Sequence, residues 1–262
     1  MLKYLKYVGI SASIALMIAL FSIGLRNAFF LSLQPPVNLD PPVNKAFSRK
    51  SDFVMLTNKT GASGGTGFAL KGKSGKVYTV TNGHVCDGVK DDDNMLYGHD
   101  ALDPTRVIRL RIIENAGFSD LCILDGMPKA SGFEVSTQPP LAYSKAFVIG
   151  FPALEPLQPS EGYVLTPIHA EVPVNTAIED CTEAKEKVVS QVVEFFGLSA
   201  KMEVCVLEID ALASTIRIFP GSSGSPVFNA AGEVIGVAFA AGTSNNGMLL
   251  RHSDVEKLMA VY

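Results

Sequence analysis

Short apolar runs separated by glycine, proline and asparagine dominate the chain from about residue 46 onward. Runs rich in Val, Ile, Phe and Thr recur at 53–57, 67–70, 77–81, 107–113, 121–124, 146–149, 204–209, 226–228, 234–240 and 248–250. Many short runs bounded by turn residues predict an all-β sandwich or barrel. Strands do not alternate with helical patterns, which argues against a parallel α/β sheet. Two segments carry helical spacing instead. In 182–196, Val188, Val189, Val192, Val193 and Phe196 recur at that spacing with charged residues between them, which predicts a surface helix. At the end of the chain, Ser253 and Glu256 form a capping box before Val255, Leu258 and Met259, predicting a C-terminal helix.

The N-terminal pattern is of another kind. Lys3 and Lys6 precede an apolar run over 8–25 that is interrupted only by small residues. Eighteen residues at helical rise span ~27 Å, close to the hydrocarbon thickness of a bilayer. No Ala-x-Ala pattern follows, so 1–33 reads as an uncleaved signal-anchor segment rather than a cleaved signal peptide. The two lysines tend to stay cytoplasmic and send the remainder across the membrane. The protein would then be membrane-anchored with its folded domain on the periplasmic or extracellular side, or secreted were the segment cleaved. A stretch over 34–45 with two PPVN units reads as a semi-rigid extended linker. The folded domain is expected over 46–262.

The 262 residues carry a formal net charge of −4 and 47% hydrophobic residues. This mild acidity, without a basic stripe in the domain, argues against nucleic acid as a partner. Asp91-Asp92-Asp93-Asn94 lacks the spacing of a calcium loop, and His99, His169 and His252 show no metal spacing, so neither metal nor cofactor is expected.

Three polar positions carry candidate chemistry. In Pro220-Gly221-Ser222-Ser223-Gly224-Ser225-Pro226 a serine lies in a glycine-flanked turn, where backbone N–H groups can be aimed at one point. Serine needs a neighbouring base to become nucleophilic at neutral pH. Thr81-Asn82-Gly83-His84-Val85 supplies a histidine after an apolar run, and Asp120 heads the run Leu121-Cys122-Ile123-Leu124. A carboxylate of that kind orients an imidazole and stabilises its charged form.

Together with Gly65-Thr66-Gly67-Phe68 and Gly232-Glu233-Val234-Ile235-Gly236-Val237, these segments resemble the trypsin-like, chymotrypsin-fold serine peptidases. The style is that of the bacterial branch with the HtrA-like and glutamyl endopeptidases. The resemblance covers roughly 53–259. It implies two six-stranded antiparallel β-barrels, about 46–140 and 141–262, with the active site in the cleft between them. It further implies Ser223 as nucleophile, His84 as general acid–base, Asp120 as its orienter, and the N–H groups of Gly221 and Ser223 as oxyanion donors. The substrate would be a polypeptide. By position, Arg217, Ile218, Ala238 and Phe239 lie at or near the primary specificity pocket. Arg217 stands where trypsin-type enzymes carry Asp, which disfavours cleavage after Lys or Arg. Ile218 and Ala238 replace the Thr and His of the glutamyl endopeptidases, and a small or medium aliphatic residue is expected before the scissile bond. The 39 residues after Ser223 leave no room for a PDZ domain, and the resemblance leaves the oligomeric state open. A protease-fold binding module without turnover is the alternative, although no triad residue is missing. An esterase of the α/β-hydrolase type, with His252 as base, is disfavoured by Ser225 where a glycine belongs.

Four cysteines permit three pairings. Cys181 and Cys205 bracket the 182–204 insertion and are expected to pair. Cys86 and Cys122 each follow a triad member by two residues, so the resemblance brings them together as thiols or as a second disulfide.

Overall fold

Val54, Leu56, Leu96, Leu110, Cys122 and Leu124 point into one apolar interior, which organises the first half of the domain. The computed structural model describes residues 37–61, 63–91, 93–116, 119–173, 186–195, 198–241, 246–250 and 252–262. Six strands close around this interior: β1 (Phe53–Thr57), β2 (Gly64–Lys71), β3 (Val77–Asn82), β4 (Met95–Asp100), β5 (Val107–Ala116) and β6 (Leu121–Leu124), in the order β1-β2-β3-β6-β5-β4. The pairing Val54↔Asp100 joins β4 back to β1. On β5, Leu110 is buried between exposed Arg109 and Arg111, the period of two that a half-buried strand requires.

The second barrel uses β7 (Lys145–Gly150), β8 (Gln158–Pro173), β10 (Leu198–Arg217), β11 (Pro226–Asn229), β12 (Val234–Ala241) and β13 (Asn246–Leu250). Its order is β13-β12-β11-β7-β8-β10, and β10–β13 pairing completes the ring. Ala146, Val148, Val164, Ile216, Val227, Ile235 and Leu249 fill it. The two six-stranded barrels implied by the resemblance are therefore present. A seventh strand, β9 (Glu186–Phe195), adds to the outside of β10.

That strand corrects the helix expected over 182–196. Residues 186–195 pair antiparallel with β10 from Leu198↔Phe195 to Leu207↔Glu186. Four of these ten residues are valine. A β-branched side chain is restricted against the preceding helical turn and fits a pleated strand better. Spacing alone was a poor guide there, because a partner strand lay only two residues away. Residues 182–185 and Cys181 are outside the described residues, as is therefore the expected Cys181–Cys205 pair.

The extended linker is corrected in part. Residues Pro41–Ser48 form helix α1 with both prolines in its first turn, where a missing N–H costs nothing and the fixed φ suits the helix. Val43 and Ala46 are buried beneath it. Beyond α1, Asp52 is buried and accepts hydrogen bonds from the Ser131 and Gly132 N–H groups at 2.7 and 3.3 Å. Arg49 pairs with Asp52 and lies 4.1 Å over the Phe133 ring. This cluster fastens the inter-barrel connection to the start of β1. The connection then bridges to both barrels, through Leu70↔Phe133 and Val135↔Val234.

Two further helices complete the description: α2 (Gly83–Val89) and α3 (His252–Val261). The C-terminal helix is as expected, but it starts at His252, so Ser253 sits inside the first turn rather than at its cap. The apolar segment 1–33 lies outside the described residues. Among those described, no helix is long and apolar enough to cross a membrane.

Candidate active site

Antiparallel pairing of β3 with β6 brings the histidine to the aspartate. The register Thr81↔Cys122 and Asn82↔Leu121 sets the end of β3 beside the start of β6. The chain then turns into α2 at Gly83, where a Cβ would lie 2.8 Å from Asn115 Oδ1 and 3.2 Å from Asp120 Oδ1. A larger residue there would have to displace the Asn115 side chain and crowd the Asp120 carboxylate. Asp120 adopts φ +49°, a left-handed conformation that Asp tolerates better than most residues. Its carbonyl accepts the Gly83 N–H at 2.9 Å and Asn82 Nδ2 at 3.1 Å.

The Asp120 carboxylate is almost wholly buried and doubly engaged. Oδ1 accepts the His84 backbone N–H at 2.8 Å, and Oδ2 lies 2.9 Å from His84 Nδ1. An ionised carboxylate only accepts, so Nδ1 carries the proton and Nε2 keeps a free lone pair. Burial works against the charged imidazole. The hydrogen bond and charge of Asp120, with the charge of Asp87 behind it, outweigh that effect and hold His84 above the ordinary histidine value.

The serine segment is two successive turns. Ser222 N–H donates to the Phe219 carbonyl at 2.9 Å, with Pro220 second and Gly221 third at φ +88°. Ser225 N–H donates to the Ser222 carbonyl at 3.0 Å, with Gly224 third at φ +85°. Glycine at the third position with positive φ is the type II signature. Ser223 stands second in the latter turn. Among the described residues, neither the Gly221 N–H nor the Ser223 N–H has an acceptor. Ala153 N–H holds the Pro220 carbonyl at 2.5 Å, and a planar peptide then directs the Gly221 N–H the opposite way.

The Ser223 hydroxyl donates to the Phe239 carbonyl at 3.2 Å. That carbonyl belongs to the bulge between Ala238 and Ala240 in the β12–β13 ladder. Phe239, Ala238 and Ile218 are buried, the last two within the core of the second barrel, while Arg217 is exposed at the end of β10. His252 lies apart from this cluster, with Nε2 against the Ser136 carbonyl. The acidic loop is occupied by its own chain: Asp91 accepts the N–H groups of Asp93 and Met95 and pairs with Arg109.

Cys86 and Cys122 form a disulfide between α2 and β6, which suggests an extracytoplasmic compartment. Sequence reasoning gave no part to Asp87 or Asn82. Asp87 lies three residues past His84, one helical turn on, and that spacing on a helix was the available signal.

Comparison with known proteins agrees with this geometry. Residues 65–237 match the model of the trypsin-like peptidase domain. The chain is 28% identical over 194 residues to the serine protease Do-like HtrA of Lactococcus lactis subsp. cremoris, covering 74% of this chain and 40% of that protein. A second HtrA, from L. lactis subsp. lactis, is 26% identical over the same length. The chain thus spans well under half of these relatives. Among solved structures, the inactive form of the Mycobacterium tuberculosis Rv3671c protease superposes with TM-score 0.57 at 18% identity, covering 87% of this chain and 98% of that one. A serine endoprotease from Yersinia pestis gives TM-score 0.57 at 16% identity, covering 86% and 66%. The two barrels, the order of the motifs and a family match over more than half of the chain lead to one conclusion: this protein belongs to the trypsin-like peptidase family.

Proposed function

We propose that the protein is an endopeptidase that hydrolyses peptide bonds through an acyl-enzyme on Ser223. His84 Nε2 takes the Ser223 proton as Oγ bonds to the substrate carbonyl carbon. The N–H groups of Gly221 and Ser223 stabilise the oxyanion. The proton passes from His84 to the leaving amine as the peptide C–N bond breaks. Water then enters by the same route and releases the acid. Asp120 keeps the imidazole in the required tautomer throughout. The observation that carries this reading is the Asp120–His84 pair at 2.9 Å, which leaves Nε2 as the only basic nitrogen of the ring.

The specificity reading assigns a small or medium aliphatic residue before the scissile bond. Ile218, Ala238 and Phe239 supply apolar surroundings, with Arg217 at the rim. The apolar run 8–25 supports tethering to a membrane with the domain on the oxidising side, where the Cys86–Cys122 disulfide persists. A second reading draws on the Ser223 hydroxyl resting on the Phe239 carbonyl instead of on His84: a protease-fold module that needs substrate or a partner to become active.

Labelling of the full chain with a fluorophosphonate tests both. Labelling that disappears in Ser223→Ala establishes an activated nucleophile. A folded wild type that does not label favours the partner-activated module. A peptide library cleaved mainly after Asp or Glu would overturn the aliphatic preference and implicate Arg217 as anion partner.

A further inference from the structure

Thr66 is fully buried on β2, and all its polar atoms are engaged toward the serine segment or its supports. Its N–H donates to the Ser223 carbonyl at 2.7 Å, and its hydroxyl donates to the Gly221 carbonyl at 2.9 Å. The same hydroxyl oxygen accepts the Phe151 N–H at 3.0 Å, and the Thr66 carbonyl accepts Thr81 Oγ1 at 2.7 Å. With its oxygen occupied by Phe151, the hydroxyl directs its single proton to Gly221. One residue of the first barrel therefore grips the second barrel on both sides of Ser223.

The consequence follows from peptide planarity. The two unpaired N–H groups belong to the peptides 220–221 and 222–223. The peptide between them, 221–222, is the one whose carbonyl Thr66 holds. The flanking planes are held by Ala153 N–H on the Pro220 carbonyl and Ser225 N–H on the Ser222 carbonyl, so the plane held by Thr66 completes the set that determines the angle between the two N–H vectors. Three glycines clear the space for this contact. A Cβ at Gly224 would lie 2.1 Å from the Thr66 carbonyl oxygen, one at Gly65 2.8 Å from the Ser223 carbonyl oxygen, and one at Gly150 2.9 Å from Thr66 Oγ1.

We propose that Thr66 is a positioning residue for transition-state stabilisation, whose hydroxyl holds the 221–222 peptide so that the Gly221 and Ser223 N–H groups converge on the oxyanion. This rests on the assignment of Ser223 as nucleophile. Thr66 does not touch substrate. It acts through the backbone it clamps, and it makes the docking of the two barrels a condition of catalysis.

The test compares Thr66→Val, which keeps the shape and removes the hydroxyl, with Thr66→Ser, which keeps the hydroxyl. Thr66→Val is expected to lower kcat and kcat/KM together by roughly 10- to 100-fold, with KM within about threefold, the mark of an interaction made in the transition state. Thr66→Ser is expected to restore kcat to within about threefold of wild type. A peptidyl trifluoromethyl ketone, which forms an oxyanion on the enzyme, should bind more weakly by the same factor as kcat falls. The matching peptidyl alcohol, lacking that carbonyl, should bind as before. Amide hydrogen exchange at Gly221–Gly224 should quicken in Thr66→Val. Should that variant fail to fold, Thr66→Ala carries the same expectations.

Wild-type kcat and unchanged ketone affinity in a folded hydroxyl-less variant would overturn the proposal, as would a large kcat loss in Thr66→Ser with an unchanged melting temperature. A wild type inert to fluorophosphonate overturns the Ser223 assignment instead. Hydrogen exchange then still judges the clamp: unchanged rates at Gly221–Gly224 refute it.

Discussion

The Ser223 hydroxyl donates to the Phe239 carbonyl, not to the His84 imidazole. That carbonyl is available because a bulge between Ala238 and Ala240 takes Phe239 out of the β12–β13 ladder, and bulges commonly re-aim groups beside active sites. An extended substrate that donates a backbone N–H to the Phe239 carbonyl competes with the serine for it and frees the hydroxyl to turn to His84. A peptidyl phosphonate with a free N–H at its reactive residue should therefore phosphonylate Ser223 about tenfold faster than its N-methyl analogue, the value of one hydrogen bond of ~1.4 kcal/mol. Equal rates would mean that the carbonyl plays no part in releasing the nucleophile.

The His84 environment sets the pH dependence. In the proposed mechanism His84 must be neutral to act as base, and Asp120 and Asp87 hold its imidazolium to a higher pH than an ordinary histidine near 6.5. Activity is then lost on acidification through a value above 6.5, rather than at or below it. The acidic limb of kcat/KM reports this directly. Asp87→Asn removes one of the raising charges without touching the hydrogen bond, so it should move that limb downward and leave the plateau rate in place.

Asp120→Asn tests the orienting role proposed for Asp120. Asparagine accepts the same left-handed backbone as Asp120 at φ +49°, so the fold should persist with little change in melting temperature. An amide cannot serve as anionic acceptor to both the His84 N–H and Nδ1–H. The favoured tautomer is lost, and kcat should fall by about 10³–10⁴ at neutral pH. A loss under tenfold, measured on an ester substrate with the melting curve checked in parallel, would remove Asp120 from the mechanism.

Much of this was legible in the chain, and the exceptions have physical causes. β1 and β6 matched their apolar runs residue for residue, because these two strands are covered on both faces and are apolar along nearly their whole length. β4 escaped notice because Gly98, His99 and Asp100 interrupt it, and β8 because Pro159, Gly162, Pro167 and Pro173 look like punctuation. β9 read as a helix since spacing is blind to a partner strand across a two-residue connection. At the site, His84, Asp120 and Ser223 stood out through their glycine-rich or apolar flanks. The Phe239 carbonyl did not, because any side chain can stand at a position that acts through its backbone, and Thr66 did not, because its hydroxyl bonds to a segment 155 residues away.

The Cys86–Cys122 disulfide bonds the two segments that carry His84 and Asp120, yet its effect should fall on stability rather than on chemistry. It closes a span of 36 residues, for which chain entropy in the unfolded state predicts a contribution of about 4 kcal/mol. In a domain of this size that corresponds to a fall in melting temperature of ~10 °C. The His84–Asp120 geometry does not depend on it. The β3–β6 ladder fixes the register, and the Gly83 N–H, Asn82 Nδ2 and His84 N–H each bond to Asp120 independently. The double variant Cys86→Ala/Cys122→Ala should therefore keep kcat within about threefold at 20 °C, well below its midpoint, while unfolding earlier on heating. Both sulfurs are fully buried, so a reducing agent should act only as fast as the domain opens. A kcat that collapses in the folded double variant would instead make the disulfide part of the catalytic frame.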